Sequence, residues 1–488
     1  MFLQDSWTRG RLTLQGALRW DRASSYAPSE LNGTTNTSFL NPTAITIPLT
    51  PGVDAFNDFT PRVGVAYDVF GTGKTAVKFN FGKYLAYAAN DAPYTSTNPG
   101  ATVVRNVQNR GWTDIDRDLV VDCDLLNPAA QSPLNGTVDT CAAATGTAPN
   151  FGKLGAATIV DPGVLSGWGV RPGDTQYSVT VQQELIPRVS AEFSATHRSF
   201  HGFFVTDDLT RRGNINSYYE TYTLTAPQDS RLPGGGGYPV TVYVPTAAAN
   251  AVAPQRFLMK ESDLGAERSS TWDGFDITVN ARFRSGLTAQ AGTTTGRGHV
   301  NTCDVDTLYN QVNANTGVIR GPDPRGCDDF EPWQTTFRGL ASYTIPKIDV
   351  LVRTVLRSQP SMLLGGTPAT SANWVVPNSV ITAALGHLPP GATATGTTTI
   401  PLVHNDTRLY ADERRTQVDM RFAKIVRFGR TRTDIGVDLN NLFNTNYATG
   451  FNTNYTYNTD NAPRPSGWGT PTSIYNPRFV RLNFTINY

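Results

Sequence analysis

With 488 residues the chain has room for one large domain or several ordinary ones. A mean hydropathy of −0.30 and 39% hydrophobic residues exclude a helical membrane protein, since no stretch supplies the roughly 20 consecutive apolar residues that a spanning helix needs. They leave a membrane barrel open, because its strands are only half apolar. The 41 basic and 40 acidic residues, net +1, give no reason to expect a nucleic-acid partner.

The opening MFLQDSW has neither the basic segment nor the apolar stretch of a secretory signal. A sequence of exported type that opens this way is expected to begin inside a longer protein. From Arg11 the chain alternates: Leu12, Leu14, Gly16, Leu18 and Trp20 take one face of a strand, and Arg11, Thr13, Gln15, Ala17, Arg19 and Asp21 the other. That run is long for a globular strand and suits a tilted membrane-crossing one. The pattern returns. Val63, Val65, Tyr67 and Val69 oppose Arg62, Gly64, Ala66 and Asp68, and Phe275, Ile277, Val279, Ala281 and Phe283 oppose Asp276, Thr278, Asn280, Arg282 and Arg284. In the closing stretch RFVRLNFTINY, Val480, Leu482, Phe484, Ile486 and Tyr488 share one face against Arg481, Asn483, Thr485 and Asn487.

Such runs predict about thirteen strands, near 1–7, 11–22, 60–69, 74–87, 174–186, 189–203, 271–284, 287–299, 333–344, 348–358, 413–427, 432–443 and 478–488. The run 348–358 alternates least clearly. Short links at Thr8–Gly10, Phe70–Gly73, Pro187, Ser285–Gly286, Pro346 and Phe428–Arg430 take turns with long ones at 23–59, 88–173, 204–270, 300–332, 359–412 and 444–477. A soluble sandwich gives no cause for that sorting. An outer-membrane barrel does, with short periplasmic turns and long extracellular loops. On this count the last strand runs inward and the C-terminus is periplasmic. Trp7, Trp20, Tyr67, Phe70, Trp272, Trp333 and Tyr488 fall near strand ends, where interfacial girdles would place them. Lys424, in phase with Val418, Met420, Phe422 and Val426, breaks the pattern close to a short turn, where snorkelling lowers the cost.

The loops carry the remaining chemistry. The cysteines fall into two local pairs, Cys123 with Cys141 and Cys303 with Cys327, in polar turn-rich segments; disulfides in an oxidising compartment are expected, and no CxxC spacing suggests zinc. Asp114, Asp116, Asp118 and Asp122 gather hard oxygen ligands beside Cys123 and make a weak calcium candidate, without the glycine and terminal glutamate of an EF-hand; an ordinary solvated acidic loop is the alternative. His197 and His201, four apart on a strand, are about 13 Å from each other and unsuited to sharing a metal. GTGKT at Gly71–Thr75 has Asp68 where a phosphate-binding loop needs its first glycine, and a strand follows, so it reads as a hairpin turn. Gly234–Gly237 and the segment 389–401 read as flexible loop crowns. If a solute is caught by loops, Tyr218, Tyr219, Tyr222, Trp374 and Tyr455 are the aromatic candidates. No nucleophile–base or paired-carboxylate arrangement is visible, so enzymatic activity is not expected.

Three stretches together resemble the barrel of TonB-dependent outer-membrane receptors, nearest to the subgroup with a carboxypeptidase-regulatory-like N-terminal domain. They are FLQDSWTRGRLTLQGALRWDR, FTPRVGVAYDVFGTGKTAVKFNFGKYLAYA, and VDLNNLFNTNY followed by YNPRFVRLNFTINY. The resemblance implies an all-β, antiparallel transmembrane barrel of about 22 strands with a plugged lumen, of which residues 1–488 would hold about 13 as the C-terminal portion. Plug and TonB-contacting box would lie outside this sequence. It also implies that Phe484, Ile486 and Tyr488 are read by the barrel-assembly machinery, and that the solute is an oligosaccharide, peptide or metal chelate. A passive porin-like channel, a surface adhesin, or a soluble secreted β-sandwich binding protein are the other readings of the same strands.

Overall fold

The computed structural model describes the chain apart from residues 33–44, 87–109, 125–126, 128, 144–157, 211–217, 252–254, 309–310, 313–318, 321–325, 405, 430, 458–466 and 488. Thirteen long strands follow one another across a single sheet: β1 (Phe2–Arg9), β2 (Leu12–Ala23), β3 (Ala55–Asp68), β4 (Thr75–Leu85), β5 (Gly173–Ile186), β6 (Val189–His201), β7 (Ser269–Arg282), β8 (Thr288–Asn301), β9 (Gln334–Ile345), β10 (Val350–Gln359), β11 (Arg415–Phe428), β12 (Thr431–Asn440) and β13 (Phe479–Asn487). Each pairs antiparallel with the next, and no pairing joins β1 to β13 among the described residues. All thirteen strands predicted from alternation are present, including the weakly patterned one that became β10.

Because the sheet is an unbroken meander, its links fall on alternate rims. The strand ends at residues 9–12, 68–75, 186–189, 282–288, 345–350 and 428–431 make one rim, joined by short links, and the long links leave and return at the other. The GTGKT segment is one of the tight turns. Asp68 accepts from the backbone N–H groups of Gly71 (3.0 Å) and Gly73 (2.8 Å), both in the left-handed region at φ +69° and +71°. A side chain there would be strained, and the carboxylate that excludes a phosphate-loop reading is what closes the turn.

The decisive feature is where the apolar faces lie. Leu18, Val63, Tyr67, Phe79, Tyr177, Val179, Phe193, Ile277, Phe337, Ile435, Leu482 and Phe484 are all exposed, between 40% and 78%. Among the described residues no second sheet covers them. An apolar surface running across most of a sheet this wide would be untenable in water and is what a bilayer requires. The opposite face carries the charges in register, with Asp438 of β12 standing between Arg421 of β11 and Arg481 of β13. Lys424 shares the apolar face and donates from Nζ to the carbonyl of Ile348 (2.6 Å) at the tight-turn rim, as snorkelling predicts.

The largest buried cluster is in the long loops, not in the sheet. Hairpin strands Tyr219–Thr225 and Pro239–Pro245 pack against a small sheet of Asn373–Pro377, Thr397–Pro401 and Asn454–Thr456, together with the helix Asn378–Leu385. Three loops far apart in sequence thereby share one core of Leu232, Val240, Trp374, Ile381, Ile400, Leu402, Tyr455 and Trp468. In the glycine run, expected to be a loose crown, Gly236 and Gly237 are packed into this layer while Gly234 and Gly235 face open space. A Cβ on Gly236 would come within 1.9 Å of the Pro227 carbonyl oxygen. The segment 389–401 is likewise built in through Ile400, which is 1% exposed.

Candidate functional site

The register of β5 to β8 stacks their polar face into rows just inside the long-loop rim. Gln176, Arg198, Trp272 and Gly298 form one row, and Ser178, Thr196, Gly274 and Gly296 the next. Below them, Thr180 and Ser194 share a hydrogen bond (2.9 Å) and Thr294 donates to Asp276 (2.6 Å). Trp272 is in phase with Asp276 and Thr278, so it faces inward, correcting its expected place in a lipid-facing girdle. Its indole lies flat against the wall because two glycines face each other beneath it. A Cβ on Gly274 would fall 2.1 Å from Cη2, and one on Gly296 2.3 Å from Cζ2. No larger residue fits at either position without lifting the ring.

Charged groups frame the ring in closed pairs. Arg198 donates from Nε and Nη2 to both carboxylate oxygens of Asp174, each at 2.8 Å. From above, Arg408 donates to Asp329 at 3.2 and 2.6 Å and approaches Glu331 at 3.2 Å, while Glu331 accepts from the Gly298 N–H at 3.1 Å. Asp329 and Glu331 follow Cys327 in the same long link, just outside the loop that the Cys303–Cys327 disulfide closes. Trp272, Arg198, Gly298, Arg408, Asp329 and Glu331 line an open cavity of about 390 Å³ that also touches Phe200 and Ser270. A second hollow of about 380 Å³ lies along β7 to β10, where Arg338 and Arg357 oppose each other directly.

The sequence-derived candidates lie elsewhere. Both cysteine pairs are bonded, Cys123 to Cys141 and Cys303 to Cys327. Asp114, Asp116, Asp118 and Asp122 do come together: carboxylate oxygens of Asp116, Asp118 and Asp122 lie within 4.8 Å of one another, as do those of Asp114, Asp116 and Asp139. Much of their capacity goes to shaping the loop, since Asp114 accepts from the N–H groups of Arg117 and Leu119, and Asp118 from that of Val120. Asp139, which the sequence reading passed over, is the fully buried member. It accepts from the N–H of Ile115, the indole of Trp112 and the N–H of Asp122, which hold its carboxyl below the usual range. Its place two residues before Cys141 in the stapled turn is the only signal that could have found it.

Of the aromatic candidates, Tyr219, Tyr222, Trp374 and Tyr455 are 5% exposed or less. Tyr222, Trp374 and Tyr455 are core of the loop layer, and Tyr218 packs beside Tyr219 and Tyr243. The four buried rings hold the loops together and present no face to a solute, whereas Tyr218 is half-buried. Burial pushes the phenols of Tyr222 and Tyr238 up to about 12, keeping both neutral; Tyr238 donates to the Leu402 carbonyl (2.7 Å). His197 pairs with Asp273 (2.7 Å). Phe484 and Ile486 stand exposed on β13, and Tyr488 is outside the described residues.

The chain belongs to the outer membrane beta barrel domain family, which matches residues 1–324. No curated protein matches it. Solved structures similar to it include the FrpB iron transporter from Neisseria meningitidis, at 11% identity and a TM-score of 0.41, covering 100% of this chain and 43% of that one. The outer membrane transporter YddB from Escherichia coli is another, at 9% identity and 0.40, covering 98% and 52%. The chain spans about half of the length of these transporters, or less. It is an outer-membrane β-barrel protein.

Proposed function

We propose that this chain forms the barrel of a TonB-dependent outer-membrane receptor that takes up a solute, with its long loops outside and its C-terminus in the periplasm. The observation that carries the reading is the pairing of an exposed apolar face with a charged inner face, on strands whose tight turns all share one rim. The three motif stretches support the receptor assignment and the carboxypeptidase-regulatory-like subgroup. In that assembly a plug fills the lumen, force from the TonB complex displaces it, and the solute passes along the polar wall without covalent chemistry. Phe484 and Ile486 of β13, with Tyr488, are the proposed contact for the barrel-assembly machinery.

The test joins two measurements on the full-length protein. Outer-membrane fractions should yield it only with detergent, and unheated samples should migrate differently from boiled ones. Cells expressing it should lose uptake of its solute when TonB is deleted. Detergent-independent solubility would end the barrel reading, and uptake indifferent to TonB would end the receptor reading.

A further inference from the structure

The geometry points to a neutral sugar ring as the ligand of the cavity over Trp272. This rests on the receptor reading, in which the inner wall is the solute's route, and it goes further by naming what the wall recognises.

Three observations carry it. The first is the platform. The indole of Trp272 occupies the space that side chains on Gly274 and Gly296 would fill, so it is seated against the wall, and it lines the cavity. An aromatic face held against backbone is preorganised to stack on a flat, partly apolar partner. The second is the state of the charges. Arg198 is closed against Asp174, and Arg408 against Asp329 and Glu331. An ionic solute of either sign would have to open one of these pairs, leaving a charge without its partner. A neutral polyol does not. Guanidinium groups keep unused N–H donors beyond a bidentate pair, and carboxylates keep unused lone pairs, so Arg198 offers donors while Arg408 with Asp329 and Glu331 offers donors and acceptors side by side. Vicinal hydroxyls, each both donor and acceptor, match that presentation, and the C–H face of a pyranose matches the indole.

The third is size and place. About 390 Å³ is at the small end for a ligand site and suits one or two sugar rings. The cavity sits beneath residues of two long loops, Asp329 and Glu331 from one and Arg408 from another, so a chain of sugars held there would extend outward through the mouth. The arginine wall around Arg338 and Arg357 lacks these features and would favour anions, which makes the two hollows chemically distinct.

The experiment is equilibrium binding to the detergent-solubilised full-length protein by calorimetry. The probes are maltotriose, cellotriose and chitotriose, with ferric citrate and trigalacturonate as ionic controls. At least one neutral trisaccharide should bind, with affinity changing less than about twofold between low and high salt. Trp272→Ala should weaken it at least about tenfold, and Trp272→Phe by no more than about threefold. Gly296→Val, which must lift the ring off the wall, should match the alanine variant. Heat-modifiable migration is checked for every variant. A properly migrating protein that binds none of the neutral sugars overturns the proposal and leaves the receptor reading standing. So does sugar binding indifferent to Trp272→Ala, or binding of the ionic controls alone. Loss of heat-modifiability in the unmodified protein would overturn the barrel reading itself.

Discussion

The guanidinium of Arg231 lies over the indole of Trp468, 4.4 Å from the ring centroid, and donates to the same residue's carbonyl at 2.8 Å. Two loops separated by 237 positions are joined by that contact. Asp229 holds the guanidinium in place through Nε and Nη2, and the hydrogen bonds from Arg231 keep the Asp229 carboxyl below its usual range. Trp468 in turn donates from Nε1 to the Ser371 carbonyl (2.8 Å), bringing in the third loop.

Trp468 is 1% exposed, so Trp468→Ala should open a cavity in the loop layer and cost it about 3–5 kcal/mol. The strands should be untouched. Hydrogen exchange should therefore speed up across 219–245 and 372–403 together, with heat-modifiable migration unchanged. Exchange rising only next to residue 468 would show that the loops fold independently.

The same layer should respond to pH through His387. Its ring is 2.9 Å from Glu220 and also bonds the Leu388 carbonyl; those two contacts, the carbonyl first, raise its pKa above 6.5. A raised value means that the protonated ring stabilises the docked state fully below 6.5 and that the contribution fades as pH climbs through the folded value. The hairpin Tyr219–Thr225 should then exchange faster at about pH 8.5 than at about pH 5.5, after correction for intrinsic rates. His387→Ala should flatten the difference. The ring is half exposed, so the effect is confined to this contact.

The division between what is legible in the sequence and what is not follows from the two solvents. Lipid on one face and water on the other impose a two-residue period on every strand, and that period carries all thirteen strands, even β10. Local cysteine pairing is legible for the same reason: it needs only neighbours in sequence. The loop core is not. Tyr222, Trp374, Tyr455 and Trp468 meet through contacts that no period announces, and a tyrosine that seals a core looks identical in sequence to one that greets a ligand. The Trp272 platform escapes because it depends on register. Gly274 and Gly296 matter only once β7 and β8 are known to place them face to face.

On the inner wall, Asp438 accepts from Arg481 at 3.2 Å and lies 3.7 Å from Arg421, the two guanidinium groups standing on its neighbouring strands. Asp438→Asn keeps the shape and removes the negative charge between them. Like charges brought together across a sheet are destabilising, and the partial hydration of this wall limits the cost to about 1–3 kcal/mol. Urea denaturation of the refolded protein should show a lower midpoint for Asp438→Asn, and adding Arg421→Gln should restore most of it. A midpoint that drops further in the double variant would mean that Arg421 stabilises through its bond to Asn483 instead.

Ile277 and Thr278 are adjacent on β7 and face opposite solvents. Ile277 is 42% exposed on the apolar side, while Thr278 lines the inner hollow with Arg338. An arginine at 277 would sit near mid-bilayer, far from either headgroup layer, and should cost about 2–4 kcal/mol. The same arginine at 278 would enter water and change only local charge. Each variant puts the same arginine in place of a β-branched residue on the same strand at nearly the same depth, so net charge cancels and β-propensity nearly does. Refolding into lipid vesicles should therefore give a much smaller heat-modifiable fraction for Ile277→Arg than for Thr278→Arg. Equal yields would mean that neither face meets hydrocarbon. The reverse order would put the polar rows, Trp272 among them, on the outside.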